Sequence, residues 1–259
     1  MTDPRPLALV TGASSGIGLE LCRQFAAGGH DLLVTADDDG LAAAAADLRT
    51  TGADVQSVQA DLRTPQGVDA VVAAVRGAGR PVQAAALNAG VGYAGAFVEQ
   101  DLDGALGLVD LNVRSTVQLA HVVLTDMVAR GSGRVLVTSS IASTMPGPYQ
   151  ALYNASKSFL QSFAEGLQGE LPPGVTVTSL MPGPTDTAFF SRAGLLNTAM
   201  GSGPKDDPAD VARQGYEALM AGRHKVVAAS LMSKVMAASN AVLPDQVKVL
   251  GHRLMAKPR

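Results

Sequence analysis

The sequence predicts an α/β protein built on a doubly wound parallel sheet, with about seven strands and helices on both faces. Short runs rich in Val, Leu and Ala alternate with helical segments along most of the chain. Such runs are typical of parallel strands that are buried on both faces. Right-handed crossovers between them place helices on both sides of the sheet. No linker divides the sequence, so we expect a single domain over residues 1–259.

The elements follow one another in a regular order. Apolar runs predict strands at residues 7–11, 31–36, 55–60, 82–87, 134–139, 175–181 and 225–229. The intervening segments predict helices at residues 16–27, 41–49, 66–76, 106–130, 150–170 and 208–221. Gly28 and Gly29 end the first of these helices. The alanine run at residues 42–46 consists of good helix formers.

Composition and charge exclude several classes of function. The chain has 259 residues, of which 47% are apolar and 17% charged, and its net charge is −3. This charge gives no electrostatic footprint for nucleic acid. One cysteine, Cys22, excludes an internal disulfide and a multi-cysteine zinc site, and the four histidines lack ligand spacing, so we expect no metal.

The same features bear on location. The N-terminus shows no signal peptide, and the lone cysteine is consistent with a reducing compartment, so we expect a cytoplasmic protein. The uncharged stretch at residues 135–156 is long enough to span a bilayer. It is interrupted by proline and glycine and is rich in Ser and Thr, which argues against a membrane helix.

A glycine-rich loop joins the first strand to the first helix. Residues 11–18 read TGASSGIG, in which the spacing GxxxGxG is a variant of the more usual GxGxxG. Glycines at such a place let backbone N–H groups approach a pyrophosphate at the helix N-terminus. A plain tight turn is the alternative. The predicted phosphate-binding residues are Gly12, Ser14, Ser15, Gly16, Ile17 and Gly18.

An acidic residue at the end of the second strand bears on the cofactor. Asp37 stands where a carboxylate can bind the adenosine ribose hydroxyls and repel a 2′-phosphate. Asp38 and Asp39 follow it, and no Arg or Lys is near in sequence. These residues favour NAD(H), with NADP(H) possible, although a solvated acidic turn would look the same. Asp61 and Leu62 follow the third strand and could hold the adenine edge, or the aspartate could cap a helix.

Small and polar residues also follow the fourth, fifth and sixth strands. They lie at the carboxyl edge, where doubly wound sheets bind ligands. Ser139 and Ser140 end the fifth strand. Plain turns and loop capping would explain the other residues without any ligand. The further candidates for cofactor contacts are Asn88, Ala89, Gly90, Pro182, Gly183, Thr185 and Thr187.

Tyr153 and Lys157 are four residues apart on a predicted helix and therefore share one face. The ammonium of Lys157 favours phenolate, so we expect the pKa of Tyr153 to fall from about 10 toward neutrality. Such a phenol can exchange a proton with an oxygen next to a carbon that exchanges hydride. Asn112 lies in a predicted helix, where asparagine has poor propensity. It is either a site residue that holds a water or an exposed asparagine without a role.

Taken in order over about residues 7–187, these motifs resemble the short-chain dehydrogenase/reductase family: TGxxxGxG, Asp-Leu, NAG, Asn, Ser, YxxxK and PG. The resemblance implies that Tyr153 is the catalytic acid/base. Lys157 would bind the nicotinamide ribose and lower the tyrosine pKa. Ser140, thirteen residues before the tyrosine, would orient the substrate oxygen, and Asn112 would hold a water in a proton relay.

The resemblance also implies a Rossmann fold, assembly as a homodimer or homotetramer, and an oxidoreductase that interconverts an alcohol and a carbonyl on a small molecule. The sequence departs from the family at Ala36 and Asp37. Many NAD-using relatives place the acidic residue one position earlier, and many NADP-using relatives have a basic residue where Asp37 stands. Two alternatives stay open: a non-catalytic dinucleotide-binding regulatory or scaffold protein, and a membrane-associated lipid carbonyl reductase.

Two segments are read as variable. Residues 184–207 contain several apolar side chains among Gly and Ser, which we interpret as a mobile substrate lid and as a sign of a substrate with apolar bulk. An ordinary packed loop would look the same. Residues 231–259 form a basic segment that is expected to close the pocket, pack on a partner subunit or touch a membrane. Solvated charges on a core-packing helix are the commoner case, so membrane contact is not expected.

Overall fold

A seven-stranded parallel sheet organises the protein. The computed structural model describes residues 5–228, 230, 234 and 243–257. The strand order is β3-β2-β1-β4-β5-β6-β7, and every neighbouring pair is parallel. The strands are β1 Leu7–Thr11, β2 Asp31–Ala36, β3 Val55–Gln59, β4 Val82–Leu87, β5 Gly133–Thr138, β6 Val175–Pro182 and β7 Lys225–Ala228.

Helices cover both faces of this sheet. The α-helices are α1 Gly16–Ala27, α2 Gly40–Arg49, α3 Pro65–Gly77, α4 Leu102–Val109, α5 Thr116–Arg130, α6 Ala151–Glu170, α7 Phe189–Arg192, α8 Ala199–Ser202, α9 Pro208–Met220 and α10 Asp245–Ala256. Short 3₁₀ turns occur at Phe97–Glu99 and Ile141–Thr144. Between α4 and α5 the chain continues as a π-helical segment, Asp110–Ser115.

Alternate residues of the strands feed two separate hydrophobic cores. In β1, Ala8 and Val10 belong to a core with Phe25 of α1, whereas Leu9 belongs to another core with Val123 of α5. This alternation follows from the period of two along a strand and buries the whole of β1. The sheet therefore needs helices on both faces, and the predicted fold class, a Rossmann-like doubly wound sheet, is confirmed.

Most predicted element boundaries agree with the structure to within one residue. The main correction concerns the helix expected at residues 106–130, which begins at Leu102 as α4 and contains the π segment. Asp101 caps α4, because its side chain accepts a hydrogen bond from the Gly104 N–H at 2.9 Å. Residue 229, the predicted end of the last strand, lies outside the described residues.

The order of the strands creates a crevice at the centre of the sheet. β1 lies beside both β2 and β4, so the connections leave β1 and β4 in opposite directions. In doubly wound sheets, ligands bind at the carboxyl ends of the strands at this switch point. The loops after β1 and β4 therefore begin where a ligand is expected.

The predicted lid at residues 184–207 is closed at its base and has a small core of its own. Thr185 and Asp206 form a parallel bridge, and the Asp206 N–H donates to Pro184 O at 2.7 Å. Inside the segment, Phe190 and Leu195 are buried against each other. The segment is thus a packed loop whose two ends meet, and its mobility stays a prediction.

Of the predicted C-terminal segment, residues 231–259, the structure describes residues 234 and 243–257, which include α10. This helix begins directly after Pro244 and packs against α8. Among the described residues, no helix has both the length and the hydropathy to cross a bilayer.

Candidate active site

One cleft at the carboxyl edge of the sheet, with a volume of about 630 Å³, gathers nearly all of the predicted site residues. Asn112 is the single predicted site residue that does not line it. The predicted residues that do line it are Gly12, Ser14, Ser15, Gly16, Ile17, Gly18, Asp37, Asp61, Leu62, Asn88, Ala89, Gly90, Ser140, Tyr153, Lys157, Pro182, Gly183, Thr185 and Thr187.

The glycine loop forms one end of the cleft, and its glycines are sterically required. Gly12 and Gly16 have positive φ angles of 69° and 55°. A Cβ on Gly18 would overlap the carbonyl oxygen of Gly12, and one on Gly16 would lie 2.8 Å from Thr187 Cγ2. The observed packing of this loop therefore requires glycine at these positions.

The N-terminus of α1 is suited to a phosphate. Ser15 is its N-cap residue and makes no side-chain capping bond, and the first turn of α1 contains no acidic side chain. The helix dipole and its first N–H groups thus face the cleft with no carboxylate from the first helical turn to compete. The residues present fit the pyrophosphate of a dinucleotide.

The loop after β4 is held against β1 by Thr11. Its Oγ1 accepts hydrogen bonds from the N–H groups of Asn88 and Ala89, both at 2.9 Å. Asn88 Nδ2 donates to Thr11 O at 3.2 Å, and Thr138 Oγ1 donates to Asn88 Oδ1 at 3.1 Å. These bonds place the Asn-Ala-Gly turn beside the glycine loop, at the carboxyl edge of the sheet.

A basic residue that the sequence analysis did not identify lies at the acidic end of the cleft. Arg63 forms ion pairs with Asp37, at 3.2 Å, and with Asp61, at 2.8 Å. Its ion pair and hydrogen bonds hold the pKa of Asp61 below its usual value. Arg63 is distant from Asp37 in sequence, but it directly follows Asp61-Leu62 after the third strand, and that position is the signal that marks it.

A second basic residue connects the glycine loop to the segment at residues 184–207. Asp38 accepts a hydrogen bond from Ser14 Oγ at 2.8 Å and pairs with Arg192 of α7 at 3.3 Å. Asp38 also receives the Gly40 N–H at 3.0 Å, at the start of α2. This carboxylate thus joins three parts of the cleft wall.

Ser140, Tyr153 and Lys157 meet in the interior of the cleft. All three are buried. Ser140 Oγ accepts the Ala142 N–H at 3.1 Å and donates to Pro182 O at 3.5 Å, and it lies close enough to the phenol of Tyr153 to lower the pKa of that group. Lys157 Nζ donates to Thr138 O at 2.8 Å and lies 5.9 Å from the centre of the Tyr153 ring. The neighbouring Ser139 turns its hydroxyl to Lys157 O at 2.9 Å, which supports Ser140 as the serine that serves the tyrosine.

The pKa of Tyr153 differs from the sequence expectation. Burial raises it to about 12, and the hydrogen bond to Ser140 offsets only part of this effect. Burial likewise lowers the pKa of Lys157 to about 8. The expected fall in the pKa of Tyr153 was therefore wrong. Burial removes water from both side chains, which disfavours the charged form of each: phenolate for Tyr153 and ammonium for Lys157.

Asn112 lies behind the cleft rather than in it. Its fully buried side chain forms two hydrogen bonds with the backbone of Val91. Asn112 Oδ1 accepts the Val91 N–H and Asn112 Nδ2 donates to Val91 O, each at 2.9 Å. Its Nδ2 also donates to Ser156 Oγ at 3.0 Å, and Ser156 Oγ donates to Tyr153 O at 2.7 Å. Asn112 is therefore not an exposed asparagine without a role, and its side chain links the loop after β4 to the tyrosine helix.

Apolar side chains from the packed loop and from α10 complete the cleft. The Phe189 ring lies 5.1 Å from the Tyr153 ring, centre to centre. Phe190, Met200 and Met255 also line the cleft. The C-terminal segment was expected to close the pocket, pack on a partner subunit or touch a membrane. Among the described residues, His252 and Met255 of α10 line the cleft, which agrees with the first of these roles. Two polar residues here, Gln150 and His252, were not predicted, because no local motif marks them.

Comparisons with known proteins give a consistent assignment. Residues 6–195 match the family described as short chain dehydrogenase. The chain is 35% identical to human 17-beta-hydroxysteroid dehydrogenase type 1 over 196 residues, which are 73% of this chain. The match spans only 59% of the length of the human protein.

Solved structures share the fold over almost the whole chain. A short-chain dehydrogenase from Sphingobium yanoikuyae in complex with NADPH has a TM-score of 0.80 and 30% identity, and the match covers 91% of this chain and 93% of that one. A short chain dehydrogenase/reductase from Burkholderia phymatum in complex with NAD has a TM-score of 0.81, with coverages of 93% and 94%; at 24% identity, it supports the fold alone. From the matched family, the fold and the motif order, the chain belongs to the short-chain dehydrogenase/reductase family.

Proposed function

We propose that this protein is an NAD(H)-preferring oxidoreductase that interconverts an alcohol and a carbonyl on a small molecule with apolar bulk. The observation that carries the proposal is that Ser140, Tyr153 and Lys157 share one cleft with a glycine loop suited to a pyrophosphate. A bound nicotinamide dinucleotide supplies or accepts the hydride. The residues of the chain then have to place the substrate oxygen and move one proton.

Tyr153 is the proton donor for reduction. Burial keeps its phenol protonated, which is the form that gives a proton to an alkoxide as the carbonyl carbon gains hydride. In the reverse direction the phenolate takes the alcohol proton while the carbon loses hydride. Ser140 Oγ, which lines the cleft with the same phenol, orients the substrate oxygen at the tyrosine.

Lys157 and Asn112 support this centre in different ways. Lys157 provides a positive charge near the phenol, and its ammonium can donate hydrogen bonds to the hydroxyl groups of the nicotinamide ribose. Its hydrogen bond to Thr138 O fixes the side chain. Asn112 acts as a positioning residue through Val91 and Ser156. The water relay that the family resemblance implies for Asn112 stays a prediction.

Replacing Tyr153 with Phe tests the central role. Tyr153→Phe keeps the ring against Phe189 and removes only the hydroxyl. We expect alcohol and ketone turnover to fall by about 10²- to 10⁴-fold, the range that general acid–base catalysis contributes. The dissociation constant for NADH should stay within about threefold of the wild-type value. Ser143→Ala, which removes a hydroxyl bonded to Ser140 O, is the matched control. Turnover retained in Tyr153→Phe would refute the role.

Cofactor preference rests on the balance between Asp37 and Arg63. Asp37 is half exposed at the adenosine end and repels a 2′-phosphate, which favours NAD(H). Arg63 favours NADP(H) as a second candidate, because its guanidinium reaches Asp37 and can bind a phosphate. The relative from Sphingobium yanoikuyae, solved with NADPH, supports keeping this candidate.

Fluorescence titration with NADH and NADPH decides between the two cofactors. We expect tighter binding of NADH, and we expect Asp37→Asn to improve NADPH binding by about tenfold because a repulsive charge is removed. Arg63→Gln should weaken NADPH more than NADH. Tighter NADPH binding by the wild-type protein would overturn the NAD(H) preference, and binding of neither nucleotide would overturn the dinucleotide site.

The alternatives have separate outcomes. Tight dinucleotide binding without turnover on any alcohol or ketone would favour a regulatory or scaffold protein. Co-sedimentation with anionic liposomes would favour the membrane-associated reductase. A cytoplasmic location and assembly as a homodimer or homotetramer stay predictions, and the second is checked by light scattering.

A further inference from the structure

Two polar side chains in the cleft have no role in the proposed proton transfer. Gln150 and His252 are each only 2% exposed, and both line the cleft. They come from distant parts of the sequence, the turn before α6 and the helix α10. Among the described residues, the Gln150 Nε2 group has no hydrogen-bond partner. Burying an amide without a partner is costly, so a bound group that accepts a hydrogen bond from it would stabilise the site.

The hydrogen bond of His252 defines what its ring offers. Nδ1 lies 3.1 Å from Pro148 O, and a carbonyl oxygen can only accept, so Nδ1 carries the proton. Burial lowers the pKa of His252, which keeps the ring neutral. The other ring nitrogen, Nε2, is then an acceptor.

The backbone between these residues is held in a strained conformation. Tyr149, between Pro148 and Gln150, has a φ angle of 64°, and it is the one non-glycine residue with positive φ among those described. Its carbonyl accepts the Gly95 N–H at 2.9 Å, which holds the turn from the other side. Strain of this kind persists where the surroundings fix it and is concentrated at ligand sites. Here it fixes the direction in which Gln150 enters the cleft, three residues before Tyr153.

We propose that Gln150 and His252 form a polar subsite that binds a second hydroxyl group of the substrate, so that the substrate class is hydroxy ketones and the corresponding diols. A hydroxyl group both accepts and donates, which matches an amide N–H and an imidazole acceptor that line the same cleft. A carboxylate or phosphate would face the lone pair of Nε2. The apolar residues Met200 and Met255 line the same cleft and can contact the carbon skeleton of such a substrate. This inference rests on the proposed alcohol–carbonyl chemistry and specifies its substrate.

Matched pairs of ketones test the subsite. The probes are 6-hydroxyhexan-2-one against heptan-2-one, 7-hydroxyheptan-2-one against octan-2-one, and 8-hydroxyoctan-2-one against nonan-2-one, in which a methyl group replaces the hydroxyl. In at least one pair we expect kcat/KM to be roughly tenfold higher for the hydroxy ketone. An apolar pocket alone would give the opposite order, because the methyl group is the more hydrophobic.

Variants locate the preference. Gln150→Met keeps the side-chain size and removes the amide, and His252→Phe keeps a ring and removes both nitrogens. We expect both to bring the ratio of the two kcat/KM values close to one. Arg253→Gln, an exposed neighbour on α10, is the matched control and should keep the wild-type ratio. A wild-type ratio of one or less for every pair, with ketones still reduced, overturns the subsite and leaves the proposed function intact.

If no ketone is reduced with NADH or NADPH, the proposed function is contradicted. The subsite can then still be tested by a binding measurement that does not depend on turnover. The imidazole NMR signals of His252, assigned by their loss in His252→Phe, are followed in the presence of NADH while each pair is added. A shift with the hydroxy ketone but not with its methyl analogue supports the subsite. Equal shifts, or none, overturn it.

Discussion

Removal of the Asn112 side chain should lower the stability of the protein and weaken its binding of NADH. Asn112→Ala deletes three hydrogen bonds, two to the backbone of Val91 and one to Ser156 Oγ. The asparagine is fully buried, so water cannot easily replace these bonds. At about 1 kcal/mol for each hydrogen bond, the expected loss in the free energy of unfolding is about 3 kcal/mol. The dissociation constant for NADH should also rise, since Val91 follows the Asn-Ala-Gly turn.

The assay is urea unfolding followed by circular dichroism, together with NADH titration of each folded variant. Thr116→Val is the matched control, because Thr116 is buried in the same stretch and its hydroxyl makes a single bond to Asn112 O at 2.9 Å. It should cost about 1 kcal/mol and leave NADH binding unchanged. Equal losses of about 1 kcal/mol for both variants would refute the reasoning, since the amide would then not hold Val91.

Two further predictions concern sterics and titration. Gly18→Ala should weaken NADH binding at least a hundredfold, because the new Cβ overlaps Gly12 O. Fluorescence titration measures this change, and Gly166→Ala, where a Cβ on α6 meets open space, is the control and should leave binding unchanged. The pKa of Lys157 is lowered from 10.5 to about 8, so between these pH values the unfolded chain binds more protons and stability rises with pH. Relative to Lys157→Met, the wild-type protein should gain about 1 kcal/mol between pH 8 and pH 9 in urea unfolding, and parallel curves would contradict the shift.

The strands and the glycine loop could be predicted because their signals are local. An apolar run such as β1 and the loop that follows it are contiguous in sequence, and the physics that shapes them acts over a few residues. The residues of the cleft wall were also found, because parallel strands bring their carboxyl ends to one edge.

What the sequence missed depends on contacts between distant segments or on burial. His252 reaches Pro148 across 104 residues, and the ion pair of Arg63 with Asp37 spans 26, although the position of Arg63 next to Asp61-Leu62 is a local signal. No periodicity records such pairs. The pKa of Tyr153 was predicted from the charge of Lys157 alone, whereas desolvation of the phenol dominates and can be known only from the packed site.

The π segment at Asp110–Ser115 has a consequence for insertions and deletions. A π turn holds one residue more than an α turn, so α4 and α5 are rotated by about 100° relative to an unbroken α-helix. α4 packs on α6, which carries Tyr153, whereas α5 packs on β4 and β5. Deleting one residue here would restore the α-helical period and turn one of these two faces away from its partner. The number of residues in this helix is therefore constrained in a way that its sequence alone does not reveal.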